Sequence, residues 1–298
     1  MQQIVECVPN FSEGRRQEVI DHILAAIAQV PGARVLDVKS DPDHNRSVVT
    51  IIGAPQAASE AAFQGVVSAA EWIDMDNHRG GHPRMGATDV IPFVPVRGVT
   101  MEDCVTLARQ LGQRIGQELG IPVYLFEEAA TRPDRRNLAD LRRGEYEGLK
   151  KEIGTNPDRV PDFGPAVMST AGATAIGARQ PLVAFNVYLN TDDASPAKAI
   201  AKAVRHSSGG FRFVKALGLL VDGQAQVSMN LTDYRQTPIH RVLELIRIEA
   251  AHYGLTVTRS EVVGLVPAEA LLDAAQFYLQ LEGFTSEQVL ENRLSEGD

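Results

Sequence analysis

Apolar residues recur along this chain in two rhythms, every second position and every third or fourth. Gln3–Val8 alternates and is closed by Pro9, which predicts a short strand. Val19, Ile20, Ile23, Leu24 and Ile27 then return at helical spacing from a start near Arg15. Ser12 stands where an N-cap is expected, and Pro31-Gly32 ends the helix. Arg34–Val38 and Ser47–Ile52 read as strands joined through Asp41-Pro42-Asp43-His44-Asn45, a turn-forming stretch, and so predict a hairpin. Pro55–Ile73 is an Ala-rich helix. Val90–Val96 is a strand interrupted by prolines, which predicts a place at a sheet edge. A helix over Met101–Leu119 and a strand over Val123–Phe126 follow.

The second half repeats the rhythm more clearly. Leu182–Leu189 is a strand and Pro196–His206 a helix. Val214–Val221 and Ala225–Leu231 are strands about Asp222-Gly223, a strong hairpin signal. Ile239–Tyr253 is a helix with Val242, Leu245, Ile246 and Ala250 on one face, and Thr256–Val263 is a strand. The order β-α-β-β-α-β is the split βαβ arrangement of ferredoxin-like domains. The first half gives the same order before an added helix and strand. The predicted class is therefore α+β, with two tandem ferredoxin-like subdomains over residues 1–178 and 179–298. Pro267–Leu281 adds a C-terminal helix. Residues from Thr155 to Gln180, rich in Pro, Gly, Ala, Ser and Thr, read as the connector.

Composition narrows the function classes. In 298 residues, 44% are hydrophobic, enough for a sizeable core. No apolar run approaches the ~18–20 residues of a membrane span. The N-terminus lacks a basic segment followed by an apolar one, so no secretory signal is expected. Cys7 and Cys104 are the two cysteines and form no CxxC, which fits a reducing cytoplasm. Net charge is -9 and the basic residues are dispersed, which argues against nucleic acid. An acidic chain that binds an anion must do so with a few placed arginines.

Four segments could carry chemistry. Asp76-Asn77-His78-Arg79-Gly80-Gly81-His82-Pro83-Arg84-Met85-Gly86-Ala87-Thr88-Asp89 is the richest in titratable groups, and its glycines and Pro83 forbid a regular helix. His82, with an ordinary pKa near ~6.5, can accept and donate protons around neutrality. His78 and His82 have HxxxH spacing, but the helix that makes this spacing useful for zinc is missing and no Glu follows His78, so no metal is expected. In the hairpin turn, Arg46 offers a two-pronged contact to a carboxylate; a solvated turn is the equal alternative. The small residues from Pro161 to Arg179 let a flat ligand approach the backbone, although such stretches are usually linkers. Gln226–Tyr234 brings Asn230 to the end of a strand.

Together these segments resemble the formiminotransferase family, including the formiminotransferase part of the animal bifunctional formiminotransferase-cyclodeaminase. The resemblance rests on VECVPNFSEG, NRSV, HPRMGATDVIPFVPVRGV, PVYLFEEAA, PDFGP, GATAIGAR, AFNVYLN, QVSMNL and LVGLVP, in order from residue 5 to residue 267. It implies a cytoplasmic, homodimeric transferase of histidine breakdown that moves the formimino group of N-formiminoglutamate to tetrahydrofolate or its polyglutamylated forms, with no metal. It implies that His82, within HPRMG, is the catalytic base and acid. It also implies that Gly164, Pro165, Ala166, Val167, Met168, Ser169, Thr170, Ala171 and Gly172 form the folate-binding segment. Arg46, Arg84 and Asn230 are candidate substrate contacts, with Arg79 a further possible clamp.

Two departures stand out. Ala171 takes the place of a Trp that animal relatives carry shortly before GAT. Lys39 stands where they carry an acid, with Asp41 two residues on. No cyclodeaminase part is expected, so a separate cyclodeaminase would act on the product. Transfer of a formyl group from N-formylglutamate and a non-catalytic folate-binding protein remain the alternatives; a metal-dependent hydrolase is a distant third.

Overall fold

The computed structural model describes residues 3–295, which fall into two compact units, one ending at Gln180 and one beginning at Pro181. In the first unit the chain runs through β1 (Ile4–Cys7), β2 (Asn10–Phe11), α1 (Gln17–Ala28), β3 (Ala33–Asp41), β4 (Arg46–Gly53), α2 (Pro55–Trp72) and β5 (Thr88–Arg97). It continues through α3 (Met101–Glu118), β6 (Val123–Glu127), α4 (Leu138–Leu141), α5 (Glu145–Glu152) and β7 (Thr174–Ala178). The break at Val8–Pro9 divides one edge-to-edge strand into β1 and β2. β4 pairs with β3 on one side and with β1 and β2 on the other; β5 pairs with β1 and β2 in turn, all antiparallel. This is the order of a split βαβ sheet. β7 and β6 extend it in parallel beyond β5.

The second unit is the same motif without the extension. β8 (Val183–Leu189), α6 (Ala194–Val204), β9 (Val214–Val221), β10 (Gln224–Leu231), α7 (Ile239–His252) and β11 (Val257–Val263) form a sheet of order β11-β8-β10-β9. Helices α8 (Ala268–Leu279) and α9 (Leu290–Ser295) follow. Each unit has its own core. In the first, Val19, Ile23 and Ile27 of α1 pack with Ala58, Ala62 and Val66 of α2 and with Cys7, Ile51 and Phe93 of the sheet. In the second, Ile200, Val204, Val242 and Ile246 close over Phe185, Val187 and Val227. Among the described residues, no helix is long and apolar enough to cross a membrane.

Three expectations change. β5 is central, and Thr88–Val94 is buried throughout. Its prolines are tolerated because the neighbouring strand is irregular where they lie: Val8, at the break, donates to the Pro92 carbonyl (3.1 Å), and Pro95 pairs with Val5 at a register shift. The supposed connector belongs to the first unit. It contains β7, and Phe163 bridges back to Val123. Gly177 shows why its residues are small: a Cβ there would come within 2.7 Å of the Phe126 ring. Finally, Ser12 does not cap α1; the buried Glu13 carboxylate accepts from the N–H groups of Arg15 (3.0 Å) and Arg16 (2.9 Å) instead.

Candidate functional site

Three connections of the first unit meet at the C-terminal end of β3: the turn before α1, the β3–β4 hairpin, and the long loop from Ile73 to Ala87. Their meeting is fixed by short polar links. Asn45, in left-handed backbone at φ +49°, accepts from Gly14 N–H (2.9 Å) and donates to the Arg79 carbonyl (3.0 Å). Gly81 N–H donates to the Asp43 carbonyl, and His78 Nε2 to that of Asn45 (3.1 Å). The hydroxyl of Ser12 donates to the Gly86 carbonyl (2.7 Å). Gly80 packs so tightly that a Cβ would meet the His44 carbonyl at 2.3 Å. Side chains cannot be accommodated at such a contact, so the glycines of this loop allow backbone to lie on backbone.

The result is a recess of about 180 Å³ lined by Ser12, His44, Asn45, Arg46, His78, His82, Arg84 and Asp89. His82 and Arg46 meet in it: Arg46 Nη1 donates to His82 Nε2. That nitrogen therefore carries the ring's lone pair, and the imidazole is neutral. Burial, then the charges of Arg46, Arg142 and His44, push the His82 pKa down to about 3, against a hydrogen bond to the Pro83 backbone. The ordinary value near 6.5 does not hold in the free protein. Arg46 makes no ion pair among the described residues, and its guanidinium faces the same recess.

Arg142, which follows α4, was not signalled by the sequence. It pairs with the buried Asp89, and its Nε is buried without a partner. Burial pushes the Asp89 carboxyl up, opposed by Arg142 and by the Met85 N–H, which donates to it at 2.9 Å. Arg142 thus adds a second positive charge beside His82. The only sequence cue was the Arg142-Arg143 pair before Gly144, a feature common at helix ends.

Arg84 lies in the same cluster but is occupied. Its guanidinium donates to Glu145 (2.6 Å) and to both oxygens of Glu147 (2.8 and 2.6 Å), and its Nε to His78 (3.4 Å). It braces the loop against α5. Arg79 is exposed and donates to the carbonyls of Asp76 and His78. Asn230 lies in the second unit, an exposed residue of β10 opposite Ala184 and Lys215.

Residues 164–172 lie against the same loop. Met75 N–H donates to the Thr170 carbonyl and Ala87 N–H to that of Ala171, both at 2.8 Å, and Gly86 bridges to Gly172. A Cβ on Gly86 would meet the Ala173 carbonyl at 2.3 Å, and Gly172 sits at φ +75° with the Met85 carbonyl 2.4 Å from its would-be Cβ. Met168 and Ala171 are buried, while Gly164, Pro165, Val167, Ser169 and Thr170 are exposed and present accessible backbone. A flat ligand can approach this strip; no aromatic ring lies within it. No group of His, Cys, Asp and Glu side chains able to hold a metal occurs among the described residues.

The sequence matches the profile of the formiminotransferase domain, N-terminal subdomain, over residues 4–179, and that of the formiminotransferase domain over residues 184–293. It is 54% identical to a glutamate formimidoyltransferase of Thermoplasma acidophilum, covering 98% of this chain and 97% of that protein. It is 50% identical to a Streptococcus pyogenes protein of the same name, covering 99% of each. It is 47% identical to the Mus musculus formimidoyltransferase-cyclodeaminase, over 95% of this chain and 53% of that longer protein. With the profiles spanning both units and the relatives aligned nearly end to end, the chain belongs to the formiminotransferase family.

Proposed function

We propose that this protein is a glutamate formimidoyltransferase, carrying the formimino group of N-formimino-L-glutamate to tetrahydrofolate and releasing L-glutamate and 5-formiminotetrahydrofolate. The observation that carries this reading is the neutral His82, its lone pair on Nε2, at a recess with two guanidinium groups. The names and near-complete alignment of the relatives support it.

The donor is a dicarboxylate, and Arg46, without an ion pair of its own, is suited to receive one of its carboxylates. Arg142 adds positive potential. Drawing Arg46 onto a carboxylate frees His82 Nε2 and neutralises the charge that disfavours an imidazolium, so donor binding raises the basicity of the ring. His82 then accepts the proton lost by the attacking folate nitrogen. The strip 164–172 holds the folate, through backbone contacts at its exposed positions. Arg84 keeps the loop in place. Orienting two substrates together accounts for at least as much of the rate as proton transfer. On the same reading the working species is a cytoplasmic homodimer, and a separate cyclodeaminase removes ammonia from the product.

The test is glutamate release by the purified chain from N-formiminoglutamate and tetrahydrofolate, beside N-formylglutamate at equal concentration. Faster release from the formimino donor is expected. Preference for the formyl donor would overturn the assignment of substrate, and folate binding without turnover would overturn the assignment of activity.

A further inference from the structure

The transfer requires two proton movements at one carbon. The attacking nitrogen loses a proton as its bond to the formimino carbon forms. The glutamate nitrogen gains one as its bond to that carbon breaks. His82 is well placed for the first. It is poorly placed to begin as a cation, since Arg46 and Arg142 both bear on it.

His44, at the tip of the β3–β4 hairpin, has the opposite surroundings. Its Nδ1 is 2.5 Å from Asp41 Oδ2. Asp41 is itself held: its Oδ1 accepts from the N–H groups of Asp43 and His44, both at 2.9 Å. Burial would raise the Asp41 carboxyl, but the hydrogen bonds from His44 and these N–H groups carry it below its ordinary value, so it is an anion. An anionic carboxylate on Nδ1 is the counter-ion an imidazolium needs, and it leaves Nε2–H as the ring's free donor. The His44 ring stands edge-on to the His82 ring, with centroids 6.2 Å apart, and both line the same recess. The two nitrogens of a tetrahedral carbon are separated by less than this, so one imidazole can serve each.

We infer that His44, oriented by Asp41, is a second catalytic residue of this site, the acid that protonates the departing glutamate nitrogen while His82 acts as base. This rests on the formimino-transfer reading above. The proton balance closes: His82 takes one proton from the attacking nitrogen, His44 gives one to the leaving nitrogen, and a proton returned between the rings through water resets both. Two titratable groups in contrasting charge environments are the usual sign of such a division of labour. The charged and titratable groups facing His44 are Asp41 and Asp43 on its own hairpin, Arg46 on β4, His82 on the long loop, and Arg15, whose Nε donates to the Pro42 carbonyl at 2.7 Å. Only Asp41 is within bonding distance of the His44 ring among the described residues.

The experiment measures kcat and KM for wild type, His44→Gln, His44→Ala, Asp41→Asn and His82→Ala. His44→Gln should lower kcat by about 10² with folate KM kept. Asp41→Asn should lower kcat less. Added imidazole should restore part of the turnover of His44→Ala. If His44→Gln keeps kcat, or imidazole restores nothing to His44→Ala, while His82→Ala is inactive, the inference fails and the proposed function stands. If His82→Ala is also active, the reading of the site itself fails.

Discussion

The two units solve the same folding problem and differ in what they do with their connections. In the second unit, β9 and β10 are joined by Asp222-Gly223, both in left-handed backbone at φ +49° and +75°, the tightest hairpin that strand twist favours. The equivalent β3–β4 hairpin of the first unit needs four residues between Asp41 and Arg46; Asn45 ties it to two other loops, and His44 and Asn45 line the recess. The helix-to-strand connections differ in the same sense. Residues 253–256 suffice between α7 and β11, whereas residues 73–87 intervene between α2 and β5. Topology therefore does not make the site. The recess is built by connections that are longer in the first unit, on a sheet of the same strand order.

That contrast can be broken most sharply at His82. His82→Ala should lower kcat by ~10²–10⁴ with folate KM nearly unchanged, read as glutamate release by a correctly folded variant. Near-normal turnover would mean that the long loop is not where the reaction occurs.

Arg46 comes next. Arg46→Gln removes a charged hydrogen-bond donor worth ~1.5–3 kcal/mol, so the KM for the donor should rise by about 10–150-fold. It also removes a positive charge from His82. By NMR the wild-type imidazole should stay neutral well below 6.5, its value being about 3, and in Arg46→Gln it should titrate at higher pH. The sign for stability follows. The unfolded chain binds a proton on His82 from its ordinary value downward and the folded chain only near 3, so acidification through that window costs stability, and the variant should narrow the loss. An unchanged titration would remove Arg46 from the base's surroundings.

Smaller effects test the scaffold. Gly86→Ala forces a methyl against the Ala173 carbonyl, and should cost about 1–3 kcal/mol in chemical denaturation along with much of the activity. Gly223→Ala meets no atom within 4 Å but stays at φ +75°, so about 1 kcal/mol should be lost, with turnover intact. Equal losses of activity in both would deny the asymmetry between the connections of the two units.

Much of the fold was legible because strand and helix periodicities are local. The second unit reads almost element by element, from Leu182 to Val263. The failures were non-local. Pro92 and Pro95 mark an edge only if the neighbouring strand is regular, and here Val8–Pro9 breaks opposite Pro92 and the register shifts at Val5, opposite Pro95. The stretch around Thr174–Ala178 has linker composition because β7 must fit beneath Phe126, a requirement visible only in space. At the site, Arg46 and His82 drew attention through the density of polar groups around them, and the fold brings them into contact. Arg142 escaped because the partner that fixes it, Asp89, lies 53 residues away. The bonds that hold Arg84 are equally invisible in sequence, since Glu145 and Glu147 lie 61 and 63 residues away.

The bond from Arg46 to His82 has a consequence for reactivity as well as for binding. A neutral imidazole in water is open to any acylating reagent through its lone pair. Here that lone pair is capped, so the resting protein is shielded at the atom on which its proposed chemistry depends. Whatever small anion attracts the guanidinium lifts the cap. Bound substrates ordinarily protect active-site histidines from modification. In this protein a simple carboxylate should sensitise His82 instead, so that labelling with diethyl pyrocarbonate would report how often the recess is holding an anion.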